Sequence, residues 1–229
     1  MNKKLTALAE DIWSIQSSHT LLGIDFGGRM TVIRLASGDL FLHSPVRLTD
    51  SLREELNALG NVKHLVAPNR FHHLNVGDYV KAYPEAELYA APGLPEKRRD
   101  IKFTGVLSDG TEYGWGDEVE HLLFGGIPLL NEVVFFHPES ATLILADLIF
   151  NFSHDLSTAQ RIFARIDDVY MEPRVSRLTR LLFLKNREKA RKSADRILSW
   201  DFDRVLVAHK DMVEKGGYEA VRKALGCFG

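Results

Sequence analysis

A mixed α/β chain of the α+β kind, folded as one two-layer or sandwich domain over residues 1–229, is what this sequence predicts. Three observations predict it. Short apolar runs broken by turns fill the start of the chain, and helix then alternates with strand from Asp50 to Ala91. A second strand-rich stretch near Val119–Ala146 gives way to helices that enclose one last buried strand. The size and composition agree: 229 residues, 45% hydrophobic and 26% charged, with a net charge of -2, are enough for one sizeable core.

Ile12–Ser17, Met30–Leu35 and Leu40–His43 read as adjacent strands, the last two joined by the Ser37-Gly38-Asp39 turn, so the fold begins antiparallel. Thr49 can cap a helix to Leu59, with Leu52, Leu56 and Leu59 on one face and Gly60 as its stop. The strand His64-Leu65-Val66 is broken by Pro68, which has no N–H to give a ladder. A helix Val76–Tyr83 and a strand Glu87–Ala91 follow. This order implies a parallel pair with a crossover. Pro92–Phe103, rich in Pro, Lys and Arg, reads as a surface wrap.

Val119–Phe124, Glu132–His137 and Thr142–Ala146 are the second group of strands, with Pro138-Glu139-Ser140 as a hairpin turn. Ser157–Ile166, Val175–Phe183 and Arg187–Trp200 read as helices, Arg204–Ala208 as a compact strand and Gly217–Leu225 as a closing helix. Neither repeats nor a linker divide the chain.

Cys227 is the only cysteine, which excludes an internal disulfide and a cysteine-based zinc site. No apolar run approaches the roughly 20 residues that span a bilayer. Glu10 and Asp11 interrupt any leader after the basic start Met1-Asn2-Lys3-Lys4, so a cytoplasmic location is the expectation. The near-zero charge makes no global case for nucleic acid.

The candidate chemistry lies at strand tips. His43, the pair His72/His73, Asp147 and His209 each follow the carboxyl end of a strand, where α/β sheets commonly place ligands. Imidazole and carboxylate suit zinc, iron or manganese, and two histidines with one acid make a plausible open set of ligands. The plainer readings stand beside this one. A histidine after a buried strand is often a hydrogen-bonded edge residue. Asp147 would equally cap the turn at Ser153 or pair with an arginine, and His209 would start a solvated loop. Asn69, after Pro68, reads as a turn residue bonding its own backbone, or as a holder of water or a substrate carbonyl.

With these residues in place, the chain resembles the metallo-β-lactamase superfamily over nearly its whole length. Leu40–Pro45 is similar to the strand that ends in an aspartate there, and Pro-Asn-Arg-Phe-His-His lies where the family's HxHxDH loop belongs. Gly125-Gly126-Ile127-Pro128 resembles the GHTPG turn, Leu145–Phe150 the strand with the bridging aspartate, and Val205–His209 the final strand and histidine. The resemblance implies an αββα sandwich and metal-dependent hydrolysis. It also implies a branch with an altered loop. Counted back from Tyr83, His72 takes the last loop histidine, while Ala67, Asn69 and Phe71 replace two ligand histidines and the loop aspartate. Gly126 replaces the turn histidine. The expected remainder is at most one zinc or iron ion at His72, Asp147 and His209, with Asp147 and His72 as the catalytic residues and His73, His43 and Asn69 in support. The alternative is a non-catalytic ligand-binding or scaffold protein using the same cleft.

Between Arg174 and Arg196, nine Lys/Arg stand against Glu188 and Asp195, a net of +7. Val175, Leu178, Leu181 and Leu182 form an apolar stripe at helical spacing. A solvated face over the core is the plain reading. A lid drawing an anionic small molecule through Arg187 and Arg191 is the sharper one, and phosphate-backbone or membrane contact a third. Exposure of Phe183-Leu184 would favour a membrane or partner; burial would favour the lid.

Overall fold

Alternation of side chains along the strands sets the layers. In Val133–His137, Val133 and Phe135 enter one buried cluster with Ile33, Phe41 and Val66, whereas Val134 and Phe136 enter another with Ala190, Ala194 and Ile197. A strand apolar on both faces needs a covering layer on each.

The computed structural model describes residues 4–21 and 23–229, so Met1, Asn2 and Lys3 of the basic start lie outside the described residues. The chain runs β1 (Thr6–Ala9), β2 (Ile12–Ser17), β3 (Thr20–Leu21), β4 (Ile24–Asp25), β5 (Gly28–Arg34) and β6 (Asp39–His43). It continues through α1 (Asp50–Leu59), β7 (Asn61–Ala67), α2 (Val76–Ala82), β8 (Glu87–Ala90), α3 (Leu94–Lys97) and β9 (Gly105–Val106). The second half holds β10 (Glu120–Leu123), β11 (Val133–His137), β12 (Thr142–Ile144), α4 (Thr158–Ile166), α5 (Arg187–Ile197), β13 (Arg204–Leu206) and α6 (Gly217–Leu225).

Seven strands form the first sheet in the order β1-β2-β5-β6-β7-β8-β9, and four form the second, β10-β11-β12-β13. The meander from β1 to β6 is antiparallel; β6, β7, β8 and β9 pair in parallel, as helix–strand alternation requires. Strands β3 and β4 make a separate two-stranded ribbon. Ile33, Phe41 and Val66 of the first sheet meet Val133, Phe135, Ile144 and Leu206 of the second in a shared core. On the outer face of the first sheet, Leu52 and Leu56 of α1 and Val76 and Tyr79 of α2 cover Met30, Val32, Leu42 and Leu65. Helices α5 and α6 cover the outer face of the second through Ala190, Ala194, Ile197, Val221 and Leu225. The architecture is the αββα sandwich.

Local signals account for α1. The Thr49 side chain accepts the Leu52 N–H at 3.2 Å, and Leu52 and Leu56 are buried, each contributing about 1.5–3 kcal/mol through burial. Gly60 follows the helix in extended backbone, at a place where only glycine fits: an added Cβ would lie 2.3 Å from the Gly38 carbonyl oxygen.

Three expectations change. β1 precedes the first predicted strand, and the surface wrap contains α3, which buries Leu94. The predicted helix Val175–Phe183 is a single wide turn of π-helix, Thr179–Phe183. Its apolar stripe faces outward, since Leu178, Leu181 and Leu182 are exposed and only Val175 is buried. Phe183 and Leu184 are partly buried against the second core, the intermediate outcome for the pair. No helix among the described residues is long and apolar enough to cross a membrane.

Candidate metal centre

The loop after β7 leaves the first sheet and is tied to the second. The Pro68 carbonyl accepts the Val133 N–H at 2.8 Å, and the Arg70 N–H donates to Leu130 O at 3.2 Å. Asn69 folds the loop tightly: its Oδ1 accepts the N–H groups of Phe71 and His72, both at 2.8 Å. That turn aims His72 into the cleft between the sheets. From the second sheet, Leu145 N–H donates to Leu206 O at 2.8 Å, which carries the chain past β12 alongside β13 and delivers Asp147 and His209 to the same edge.

The three side chains converge. Asp147 Oδ1 lies 2.8 Å from His209 Nε2 and 3.2 Å from His72 Nε2, and the two Nε2 atoms are 3.3 Å apart. His209 Nδ1 is 2.9 Å from the Gly27 carbonyl oxygen, which only accepts, so Nδ1 carries the hydrogen. In the neutral ring, Nε2 then turns a lone pair toward Asp147. His72 Nδ1 shares a 2.7 Å hydrogen bond with Ser44 Oγ, and Phe150 stacks on the His209 ring at 5.2 Å between centroids. Two ring nitrogens and a carboxylate oxygen facing one another need a positive charge among them.

A proton supplies that charge in one state. Burial opposes ionisation of His72, but the charge and hydrogen bond of Asp147 outweigh it and hold the imidazole above its ordinary pKa. Burial likewise opposes the Asp147 carboxylate, and His72 and His209 together hold it well below the usual range. A divalent metal satisfies the same groups. The separations of 2.8–3.3 Å approach the edge of about 3.3 Å of a tetrahedron with bonds of about 2.0–2.1 Å, and an N,N,O set is a normal donor set for zinc or iron. The residues fit the ion.

Behind Asp147 stands Glu132. Its carboxyl accepts the N–H groups of Ala146 and Asp147 at 2.9 and 2.6 Å, and Asn69 Nδ2 donates to both Glu132 Oε2 (3.1 Å) and Asp147 Oδ2 (2.8 Å). Burial, and then the charge of Asp147, push Glu132 up to about 7.

The remaining sequence-predicted residues separate. Asn69 is a turn residue and a holder of both carboxyls at once. His73 is buried away from the three, its Nδ1 accepting from Arg98 Nη1 at 2.8 Å. His43 is fully buried edge-on to Phe135, with Nε2 unpartnered among the described residues; its neighbour Ser44 supports His72 instead. Among the described residues Asp147 neither caps the turn at Ser153, whose N–H donates to Asp211, nor meets an arginine. Arg187 and Arg191 are absent from the cleft lining, a correction to the lid reading: Arg187 Nη1 donates to the Cys227 carbonyl at 2.7 Å, and the cations that line the cleft are Arg29, Arg47 and Lys97. The turn glycine is closed off by α5. A Cβ on Gly126 would stand 2.2 Å from Asn186 O and 2.9 Å from Ala190 N.

Sequence reasoning missed Glu132, Gly27 and His19. An acid at the head of the apolar run Val133–Phe136 was the available signal for Glu132. Gly27 acts through its carbonyl and gives none. His19 lines the cleft, and burial first, then His209 and His72, lower its pKa. The cleft itself encloses about 750 Å³.

The whole chain is similar to solved metallo-β-lactamase structures. A metallo-β-lactamase from Pontibacter korlensis superposes with a TM-score of 0.68 at 12% identity, covering 99% of both chains. One from Hirschia baltica gives 0.66 at 12% identity, covering 99% of this chain and 97% of the other. A metal-soaked flavodiiron core from Synechocystis sp. PCC6803 gives 0.70 at 12% identity, covering 99% of this chain and 60% of that one. At these identities the likeness shows the fold. Comparison with curated proteins gives no match. The profile of a domain of unknown function, DUF4336, matches residues 9–168, more than half of the sequence. The chain therefore belongs to the DUF4336 family and carries it on a metallo-β-lactamase fold.

Proposed function

We propose that this protein is a metal-dependent hydrolase of a small molecule bearing an anionic group, working with a single zinc or iron ion held by His72, Asp147 and His209. The observation that carries the reading is the convergence of two imidazole nitrogens and one carboxylate oxygen within 2.8–3.3 Å. Bound there, an ion would supply Lewis acidity toward a substrate oxygen and a water of lowered pKa. The chain's own groups do the rest. Gly27 O and Ser44 Oγ orient the two imidazoles, and Asn69 and Glu132 fix the Asp147 carboxylate, a support that tunes affinity as much as position. Apolar walls, Phe26, Phe150 and Phe163 among them, exclude water, while Arg47 and Lys97 draw the anion. His19, whose pKa is lowered by burial and then by His209 and His72, is the candidate proton acceptor at the cleft wall.

One observation favours a second reading. Asp147 and both imidazoles are also satisfied by one shared proton, the arrangement a ligand-binding protein without turnover would keep. Elemental analysis of untagged protein purified without chelator separates the two. One zinc or iron per chain, lost in His209→Ala, is the expected result. Metal-free protein whose melting temperature ignores added zinc and iron would leave the binding protein standing.

A further inference from the structure

Both lips of the cleft are apolar and open to solvent. Phe71 and Leu74 on the loop after β7 are 42% and 61% exposed, and Leu178 across the same cleft is 47% exposed. Leu181 and Leu182 carry the surface outward through the π-helical turn, at 72% and 59%. Large apolar side chains gathered at one mouth lose their hydration only when something apolar lies on them. Inside, the strip continues past Phe163, Phe26 and Phe150 to His209. Charge at the mouth favours an anion. The lining carries three cations, Arg29, Arg47 and Lys97, against two acids, Asp147 and Asp167, a balance of +1; Lys97 Nζ also donates to the Arg70 carbonyl at 2.8 Å, and Asp167 accepts the Leu178 N–H at 2.9 Å.

We infer that the cleft binds a single-chain amphiphile, with its alkyl chain along the strip from Leu178 and Leu74 to Phe150 and its anionic head held by Arg47 and Lys97. The inference goes beyond the hydrolase reading: the tail end beside His209 offers an ion no oxygen to polarise, so the amphiphile is a ligand held without turnover, and its binding does not require the ion. A volume of about 750 Å³ is of the size that encloses such a molecule.

The test is displacement of a fluorescent fatty acid, cis-parinaric acid, from the full chain by octanoate, decanoate and dodecanoate, with and without zinc. The expected result is competitive displacement, with affinity rising about four-fold for each added methylene. Leu178→Asp and Leu74→Asp should each weaken dodecanoate at least ten-fold and leave zinc titration and melting unchanged. Leu129→Asp, exposed but outside this cleft, should change nothing. No displacement at millimolar carboxylate, affinity independent of chain length, or equal loss in Leu129→Asp would overturn the inference. Zinc binding without carboxylate binding would overturn it alone; carboxylate binding without zinc would overturn the metal reading alone.

Discussion

Asn69 joins the turn and the candidate centre through one amide. Its oxygen takes the N–H groups of Phe71 and His72 while its nitrogen serves Glu132 and Asp147, so truncation strands four groups together. Asn69→Ala is expected to cost about 2–4 kcal/mol in urea unfolding and to weaken zinc binding by about 10–100-fold. Asn69→Asp should be worse, because a third carboxylate would face two others in a buried place. His43 offers a pH effect of known sign. Burial pushes its pKa down from 6.5 to about 3, so the folded ring stays neutral. Below pH 6.5 the unfolded chain takes up a proton that the folded chain refuses until near pH 3, and stability falls with pH by about 1.4 kcal/mol per unit. Above pH 6.5 the contribution is complete. His43→Leu should flatten that acid slope by the same amount between pH 6 and 4, measured from urea midpoints. At this scale the sequence was readable where residue type limits chemistry, as with His72, Asp147 and His209. It was silent where a backbone carbonyl, Gly27, chooses the tautomer.

Elements explain the misread stripe. Leucines at helical spacing mark a common face but not the side of the core on which it lies, and the segment holding Leu178–Leu182 turns that face to solvent. By contrast α1 was legible from Thr49 to Gly60, because cap, periodicity and stop all agree. The start of α5 is equally local, with the Asn186 side chain accepting the Lys189 N–H at 2.9 Å. Its seat is not local. Lys185 and Asn186 N–H groups both donate to Gly126 O, and Gly126 holds φ +86°, where a side chain is strained. Gly126→Ala should therefore lower stability by about 2–4 kcal/mol, read as a lower urea midpoint, with zinc affinity changed far less than in His209→Ala.

Across the whole molecule, the candidate centre is a link between layers. His72 comes from the first sheet, and Asp147 and His209 come from the second. An ion bound only by the assembled sandwich stabilises it by about 2.7 kcal/mol at a free concentration of about 100 times Kd. For a chain of this size that is a rise in Tm of about 5–10 °C, which calorimetry with added zinc should show and His209→Ala should abolish. The order of strands and helices made the convergence legible, since resemblance over the full length placed all three tips on one edge. How the loop after β7 is fastened across to Leu130 and Val133 was not legible, because those are main-chain bonds between distant segments. The helix resting on Gly126 also sets a limit for anyone re-engineering this protein. An imidazole installed at 126 has no room for even its first carbon, so a neighbouring ion site there would call for lifting α5 and rebuilding the wall it forms, a redesign of architecture instead of a single codon change.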